Sequence, residues 1–388
     1  MSSKMKNKVS LIRCETYNPT DVEAAVRQSF DNLGGIEKYI NKGDKVLLKL
    51  NLLMRKHPDA AATTHSEFAR ALCNVLREYG ATVIIGDSPG GPFNRTMLNS
   101  VYKGCGIEAV ANETGATLNF NTNLVRRDNP DGLLLKSLTV TDMLNDVDKV
   151  ISVSKLKTHG MMVYTGAVKN MFGVVPGLIK AEYHINMPEI DNFADALIDI
   201  CLAAKPILSF MDGIVGMEGA GPSSGTPRKI GAVIASDSAC HLDKVASHII
   251  GFKENEVPTV KRSIERGLCC SGFDDIEFWG DKIDDFVIAD FKRAKSINVD
   301  FINFLPKFMR GFFKRRLKAI PKFDTQKCVG CGDCARLCPA KVLELENRLP
   351  ILVDKNGCIS CFCCQELCPK AAVKIHRPWL MRAISRAK

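Results

Sequence analysis

Nine of the chain's 16 cysteines fall between Cys328 and Cys368. Residues 328–339 read CVGCGDCARLCP and residues 358–369 read CISCFCCQELCP, so the pattern C-x2-C-x2-C-x3-C-P occurs twice. Each cysteine of the pattern recurs 30 positions on, and the flanks AKVLEL and KAAVKI repeat with it, which marks an internal duplication. Thiolates this dense suit soft-metal chemistry, and a disulfide framework is not expected in a long chain without an apolar leader. Cys363 is an extra thiol in the second run. It aligns with Asp333, which is not a ligand position, and reads as a bystander.

This spacing resembles the two-cluster bacterial ferredoxins over about 55 residues. The resemblance implies two 4Fe-4S clusters whose fourth ligands are exchanged between the runs. One cluster would take Cys328, Cys331, Cys334 and Cys368, the other Cys338, Cys358, Cys361 and Cys364. A pair of zinc knuckles is the alternative. The proline after each fourth cysteine and the doubled run fit clusters better. Two adjacent clusters make a path for single electrons and name no substrate.

A second constellation lies in SKLKTHGMMVYTGAVKNMFG, residues 154–173, where three lysines, a histidine and an asparagine interrupt a mostly apolar stretch. Strand alternation puts Lys155, Lys157 and His159 on one face. Either this is a solvated sheet edge or it grips an anion. Other apolar strands also end in polar groups: Lys49 and Asn51 near the end of KVLLKLN, Asp87 after VIIG, Asp212 after ILSFM and Asp237 after AVIAS. Strand ends are usually wet, but several together favour the crevice outside the carboxyl ends of an open sheet. In that reading Lys155, Lys157 and Lys169 orient carboxylate or phosphate oxygens, with Asn170 beside them as a further candidate catalytic residue. His159 supplies a proton, and Lys49, Asn51, Asp87, Asp212 and Asp237 complete the binding site.

The elements that must position these groups alternate. Apolar runs such as KVLLKLNLL and DKVISVSKLKTHG are separated by helical stretches such as THSEFARALCNVLREYG, which opens on a capping pattern, and DNFADALIDICLAA. This predicts an α/β class, with a mostly parallel sheet and flanking helices over residues 1–300, and a small α+β ferredoxin-like domain at 324–377. The loops GDSPGGP and GMEGAGPSSGTP could bring backbone N–H groups to an anion. They lack the Walker ending and the G-x-G-x-x-G fingerprint.

KLKTHG, AVKNMFG, Lys180, His184, KLNLL, GDSPGG and MDGIVGMEGAGP, with Asp237 and Asp243, resemble the family catalogued as domain of unknown function 362 over roughly residues 8–252. Members often carry a C-terminal ferredoxin pair. The resemblance marks Lys155, Lys157, His159, Lys169 and Asn170 as signature positions and implies no reaction.

The formal charge of +10 hints at nucleic acid or lipid, but it falls by about four units if two clusters with their thiolates are counted, and no nucleic-acid motif accompanies it. Nucleic acid is therefore not an expected partner. No apolar run reaches 18 residues and the first residues lack a signal-peptide core, which gives a cytoplasmic expectation. Residues 301–323 mix aromatics with Lys and Arg between two prolines. They read as a basic amphipathic linker that packs the two domains together, or as peripheral membrane contact. Residues 378–388 are a basic tail. Cys269 and Cys270 have no partner motif and read as incidental. Two functions remain open. One is an anaerobic iron–sulfur oxidoreductase working between a redox partner protein and an anionic small molecule. The other is a non-catalytic electron carrier or redox-sensing adaptor.

Overall fold

The structure is a computed structural model that describes residues 7–294 and 318–376, with Pro378. Most of the 301–323 segment and nearly all of the basic tail lie outside the described residues.

The larger unit is built on strands β1 (Asn7–Arg13), β2 (Lys45–Leu50), β3 (Thr82–Gly86), β4 (Thr117–Leu118), a separate ribbon of β5 (Leu124–Asp128) and β6 (Ser137–Thr141), then β7 (Lys149–His159), β8 (Val163–Thr165), β9 (Leu208–Glu218), β10 (Thr226–Ser236) and β11 (Ile276–Gly280). All but the ribbon form one nine-stranded sheet in the order β11-β1-β10-β9-β7-β2-β3-β4, with β8 paired to β7. The run β9-β7-β2-β3-β4 is parallel, and β10 is antiparallel to both neighbours.

Helices cover both faces. They are α1 (Pro19–Leu33), α2 (Ser66–Tyr79), α3 (Arg95–Gly104), α4 (Ile107–Thr114), the short α5 (Ala167–Asn170), α6 (Ile179–Asn186), α7 (Ile190–Ala204), α8 (Ala239–Ile249) and α9 (Pro258–Glu265). Alternation along the strands feeds two cores. Val46, Leu48 and Leu50 pack with α1–α4, whereas Leu47 joins the core under α5 and α7–α9. The strands are therefore apolar on both faces, as buried parallel strands must be. Local signals set the helix ends. Asn18 accepts from Thr20 N–H ahead of Pro19, and Gly34 closes α1 in the left-handed region at φ 107°. The capping pattern before α2 acts through His65, whose side chain accepts from Glu67 N–H.

The smaller unit pairs β12 (Ile320–Phe323) with β15 (Val373–His376) and β13 (Leu343–Glu346) with β14 (Leu349–Leu352). The expected linker thus ends earlier than 323, because residues 320–323 are a strand. The sequence repeat is also a structural one. Short helices Asp333–Arg336 and Cys363–Glu366 occupy equivalent positions. Gly332 (φ 76°) precedes the first and Phe362 (φ 65°) the second, both left-handed.

Candidate functional site

Two groups of four thiols stand in the smaller unit. Cys328, Cys331, Cys334 and Cys368 line one small cavity. Cys338, Cys358, Cys361 and Cys364 line another. Each set takes three cysteines from one run and the last cysteine of the other. Among the described residues, neither set brings three sulfurs within 4.8 Å of one another. A tetrahedral zinc with Zn–S of about 2.3 Å would hold its sulfurs under about 4 Å apart, so the wider sets fit a multi-iron cluster better than one ion.

The second cavity abuts a crevice between the two units, of about 120 Å³. One wall comes from the carboxyl ends of β2 and β3 and from α5 and α6, with Lys49, Asn51, Asp87, Ser88, Lys169, Asn170, Lys180 and His184. The other wall is Leu337, Cys363, Glu366 and Leu367. These are direct or near neighbours of Cys338 and Cys364. Cys363 thus faces the crevice, while Cys364 lines the cluster cavity.

The lysines fall into two kinds. Lys49 pairs with Asp87 at 2.8 Å and donates to the Leu50 and Asn170 carbonyls. Gly173 lies over this pair so closely that a Cβ would collide with both partners. Lys155 pairs with Asp212 at 2.8 Å and donates to the Tyr17 hydroxyl at 2.7 Å, beneath a Tyr17–His65 ring stack. Lys157 Nζ has amide partners instead, Asn51 Oδ1 at 2.7 Å and the Ala62 carbonyl at 2.6 Å. Burial, with Lys169 nearby, pulls its pKa down to about 7.

Lys169 and Lys180 have no carboxylate ion pair among the described residues and share the Phe172 ring, at 5.8 and 6.0 Å. Lys180 donates to the Ser88 and Pro89 carbonyls. Burial lowers its pKa to about 7; Asp87 opposes the shift, and Lys49 and Lys169 add to it. Burial likewise lowers Lys169, against Glu366 and Cys363.

His159 Nδ1 accepts from Met161 and Met162 N–H, both at 3.1 Å, so the ring proton sits on Nε2. That atom lies 3.0 Å from Glu366 Oε1, off the line of a hydrogen bond. Burial would raise the Glu366 carboxyl, but His159, Lys169 and His184 together hold it down at about 2. Burial lowers His184 to about 4. His184 Nδ1 and Ser88 Oγ are buried without hydrogen-bond partners among the described residues. Buried polar groups of this kind are usually satisfied, so they point to an occupant. Asp243 fixes the start of α5 by accepting from Ala167 and Val168 N–H, which places Lys169 and Asn170.

The structure therefore brings Lys49, Asn51, Asp87, Lys169 and Asn170 to the crevice, with Lys157 behind Asn51 and His159 behind Glu366. It does not bring Asp212, which lies within β9 because that strand runs on to Glu218 and is spent on Lys155. Asp237 is a correction. It follows β10, which runs antiparallel, so it sits at the opposite edge of the sheet, near Lys8 and Lys38. Sequence spacing gave no sign of Ser88, Glu366 or Cys363 as crevice residues. The first glycine loop also serves another purpose, since Gly90 receives the Leu367 side chain, and Gly160, just after β7, receives the Phe362 ring.

Comparison with known proteins agrees with this division. Residues 46–248 match the family described as Domain of unknown function (DUF362), and residues 320–369 match a 4Fe-4S dicluster domain. A thylakoid-associated protein of Synechocystis sp. is 31% identical over 266 residues, 68% of this chain and 81% of that one. Ferredoxin-2 of Desulfomicrobium norvegicum is 54% identical over 24 residues, 6% of this chain and 41% of its own. The lactate racemase apoprotein of Thermoanaerobacterium thermosaccharolyticum superposes with a TM-score of 0.39 at 14% identity, covering 62% of this chain and 56% of that one. The dicluster match supports iron–sulfur electron transfer. No described helix is long and apolar enough to cross a membrane.

Proposed function

The chain belongs to the family described as Domain of unknown function (DUF362) and carries a 4Fe-4S dicluster domain, and on that premise we propose that it is an oxidoreductase passing electrons through two 4Fe-4S clusters to a small anion in the interdomain crevice. The observation that carries this reading is the shared wall. Leu337, Cys363, Glu366 and Leu367 separate the crevice from the second set of thiols by a residue or two. Cys328, Cys331, Cys334 and Cys368 would hold one cluster and Cys338, Cys358, Cys361 and Cys364 the other. The clusters supply single electrons. A redox partner protein delivers them at the first set, where Cys331 is exposed.

Lys169 and Lys180, which have no carboxylate partner among the described residues, are the cations placed to meet ligand oxygens, and Ser88 and His184 supply the unpartnered polar atoms beside them. The crevice is smaller than the usual range of about 300–1,000 Å³, so the ligand is a compact carboxylate or phosphate. Reduction of one double bond in it takes two electrons, one at a time from the partner protein, and two protons from solvent. Lys180 and Lys157, each with a pKa of about 7, are suited to exchange protons near neutrality. The basic aromatic segment 301–323, together with a relative named for thylakoid association, supports attachment at a membrane surface.

The test uses the anaerobic, cluster-loaded protein and a panel of carboxylated and phosphorylated metabolites read by thermal shift. A stabilising anion should bind at least tenfold more weakly to the Lys169→Ala/Lys180→Ala variant, since loss of two charge-assisted hydrogen bonds exceeds about 1.4 kcal/mol. Its affinity should also fall as pH rises above about 7, where Lys180 loses its charge. Equal stabilisation of both proteins, or redox activity indifferent to every anion, would instead support a non-catalytic carrier or redox-sensing adaptor.

A further inference from the structure

Another group of soft donors converges on the opposite side of the sheet from α1–α4, around the start of α8. Ser238 caps that helix, and its Oγ lies 2.7 Å from His241 Nδ1. The other ring nitrogen, Nε2, faces two donors at 3.3 Å, the Asn7 amide and Cys270 N–H. The proton therefore sits on Nδ1 against the Ser238 hydroxyl, and the Nε2 lone pair is held only by these two long contacts, which a metal bound there would displace. Cys269 and Cys270 arrive on the loop after α9. A His241 ring nitrogen and the two sulfurs all lie within 4.8 Å of one another. Lys244 fixes this loop by donating to the Cys270 and Gly272 carbonyls, stands 3.8 Å from Cys270 Sγ, and is balanced by Glu254 at 2.8 Å.

We propose that His241, Cys269 and Cys270 bind one zinc ion, separate from the dicluster unit. The donor set selects the class of ion. Two thiolates and a neutral imidazole suit a soft or borderline cation rather than magnesium or calcium. Two thiolates also balance a divalent charge in a buried place, where His241 is 3% and Cys269 6% exposed. Three protein ligands leave the fourth tetrahedral position to water. The hydrogen bond from Nδ1 to Ser238 orients the imidazole as such ligands require. The ion would tie the loop after α9 to the first turn of α8, two segments that otherwise meet through Lys244 and the contact between Cys270 N–H and His241.

The experiment is a metal count and a zinc K-edge spectrum on the anaerobic protein with its iron and sulfide loaded, after dialysis against zinc. The expected result is about one zinc per chain with iron and sulfide unchanged, and a shell of two sulfurs at about 2.3 Å and a nitrogen at about 2.0–2.1 Å. His241→Ala and Cys270→Ser should each weaken zinc retention at least tenfold. Cys240→Ser, a neighbour outside the set that meets Ser263, should keep it. Circular dichroism confirms that each variant is folded, and Cys270→Ser, at a half-buried position, covers the case in which the histidine variant fails. Three results would each overturn the proposal: zinc absent from the wild type, zinc kept by both variants, or zinc gained only as iron is lost. A mass 2 Da low from a Cys269–Cys270 disulfide in the anaerobically isolated protein would do the same.

Discussion

The two walls of the crevice are made in opposite ways. The dicluster wall comes from a duplicated run, each copy of which holds its four cysteines within a dozen residues, on loops held by two small ribbons. The α/β wall draws on residues from Lys49 to His184, which meet only because parallel strands end together. Its charges are mutually dependent, Lys49 with Asp87 and Lys169 opposite Glu366 of the other unit, and the buried pair of Lys155 with Asp212 lies in the sheet beside it. Local construction tolerates loss at a position that is not a ligand. Distributed construction does not tolerate loss of one half of a buried pair.

The comparison breaks most visibly at adjacent cysteines. Cys364→Ser should remove or convert one cluster, lowering iron and sulfide by up to half, whereas Cys363→Ser should keep the full content of about eight of each. The reverse pattern would show that the repeat alignment fails there. In the sheet that carries the other wall, Asp212→Ala leaves Lys155 buried and uncompensated. Anaerobic denaturant titration should show a loss of about 3–5 kcal/mol, with the double replacement Lys155→Met/Asp212→Leu considerably milder.

Acid should act next. His184 has a folded pKa of about 4 against an ordinary 6.5, lowered by burial, with Glu366 opposing and Lys169 and His159 adding. The unfolded chain binds the extra proton first, so this contribution is complete above about pH 6.5 and is lost as pH falls to about 4. His184→Phe, which keeps the stack on Phe193, should flatten the stability–pH curve in that window by up to about 1.4 kcal/mol per pH unit. An unchanged slope would place the histidine in water. The smallest effect is expected from Gly160→Ala. Its Cβ would stand 3.2 Å from the Phe362 ring, and a slightly lower thermal midpoint is the expected sign of a loosened interface.

How legible each wall is in sequence follows from its construction. The cysteine sets can be read directly because a ligand and its neighbours share a loop. Lys49, Asn51 and Asp87 can be found from apolar runs that end in polar groups, and Lys169 and Asn170 from the cation-rich stretch 154–173. Asp237 looks identical in sequence to those groups, yet strand direction decides its side of the sheet, and the run AVIAS carries no record of lying antiparallel. Asp212 misleads because the strand continues through it, and its carboxylate is taken up by Lys155, Tyr17 and His65 N–H. Glu366 is invisible because only the docking of one unit on the other gives it a place. His241, Cys269 and Cys270 stay hidden for a different reason, being about 30 residues apart within one unit with no shared motif.

Phe362 occupies the place that Gly332 holds in the other half of the duplication, and it does so with a left-handed backbone. Such a conformation costs a bulky residue of the order of 1–3 kcal/mol, which glycine would avoid. The ring rests against Gly160, where a side chain would crowd it. One copy of an ancestral repeat has therefore given up its equivalence to the other in order to fit a neighbour that has no side chain. Positions 160 and 362 form a small–large couple, so a change of size at either is felt at the other. Two modules that could each have drifted alone share one mutational fate at this contact.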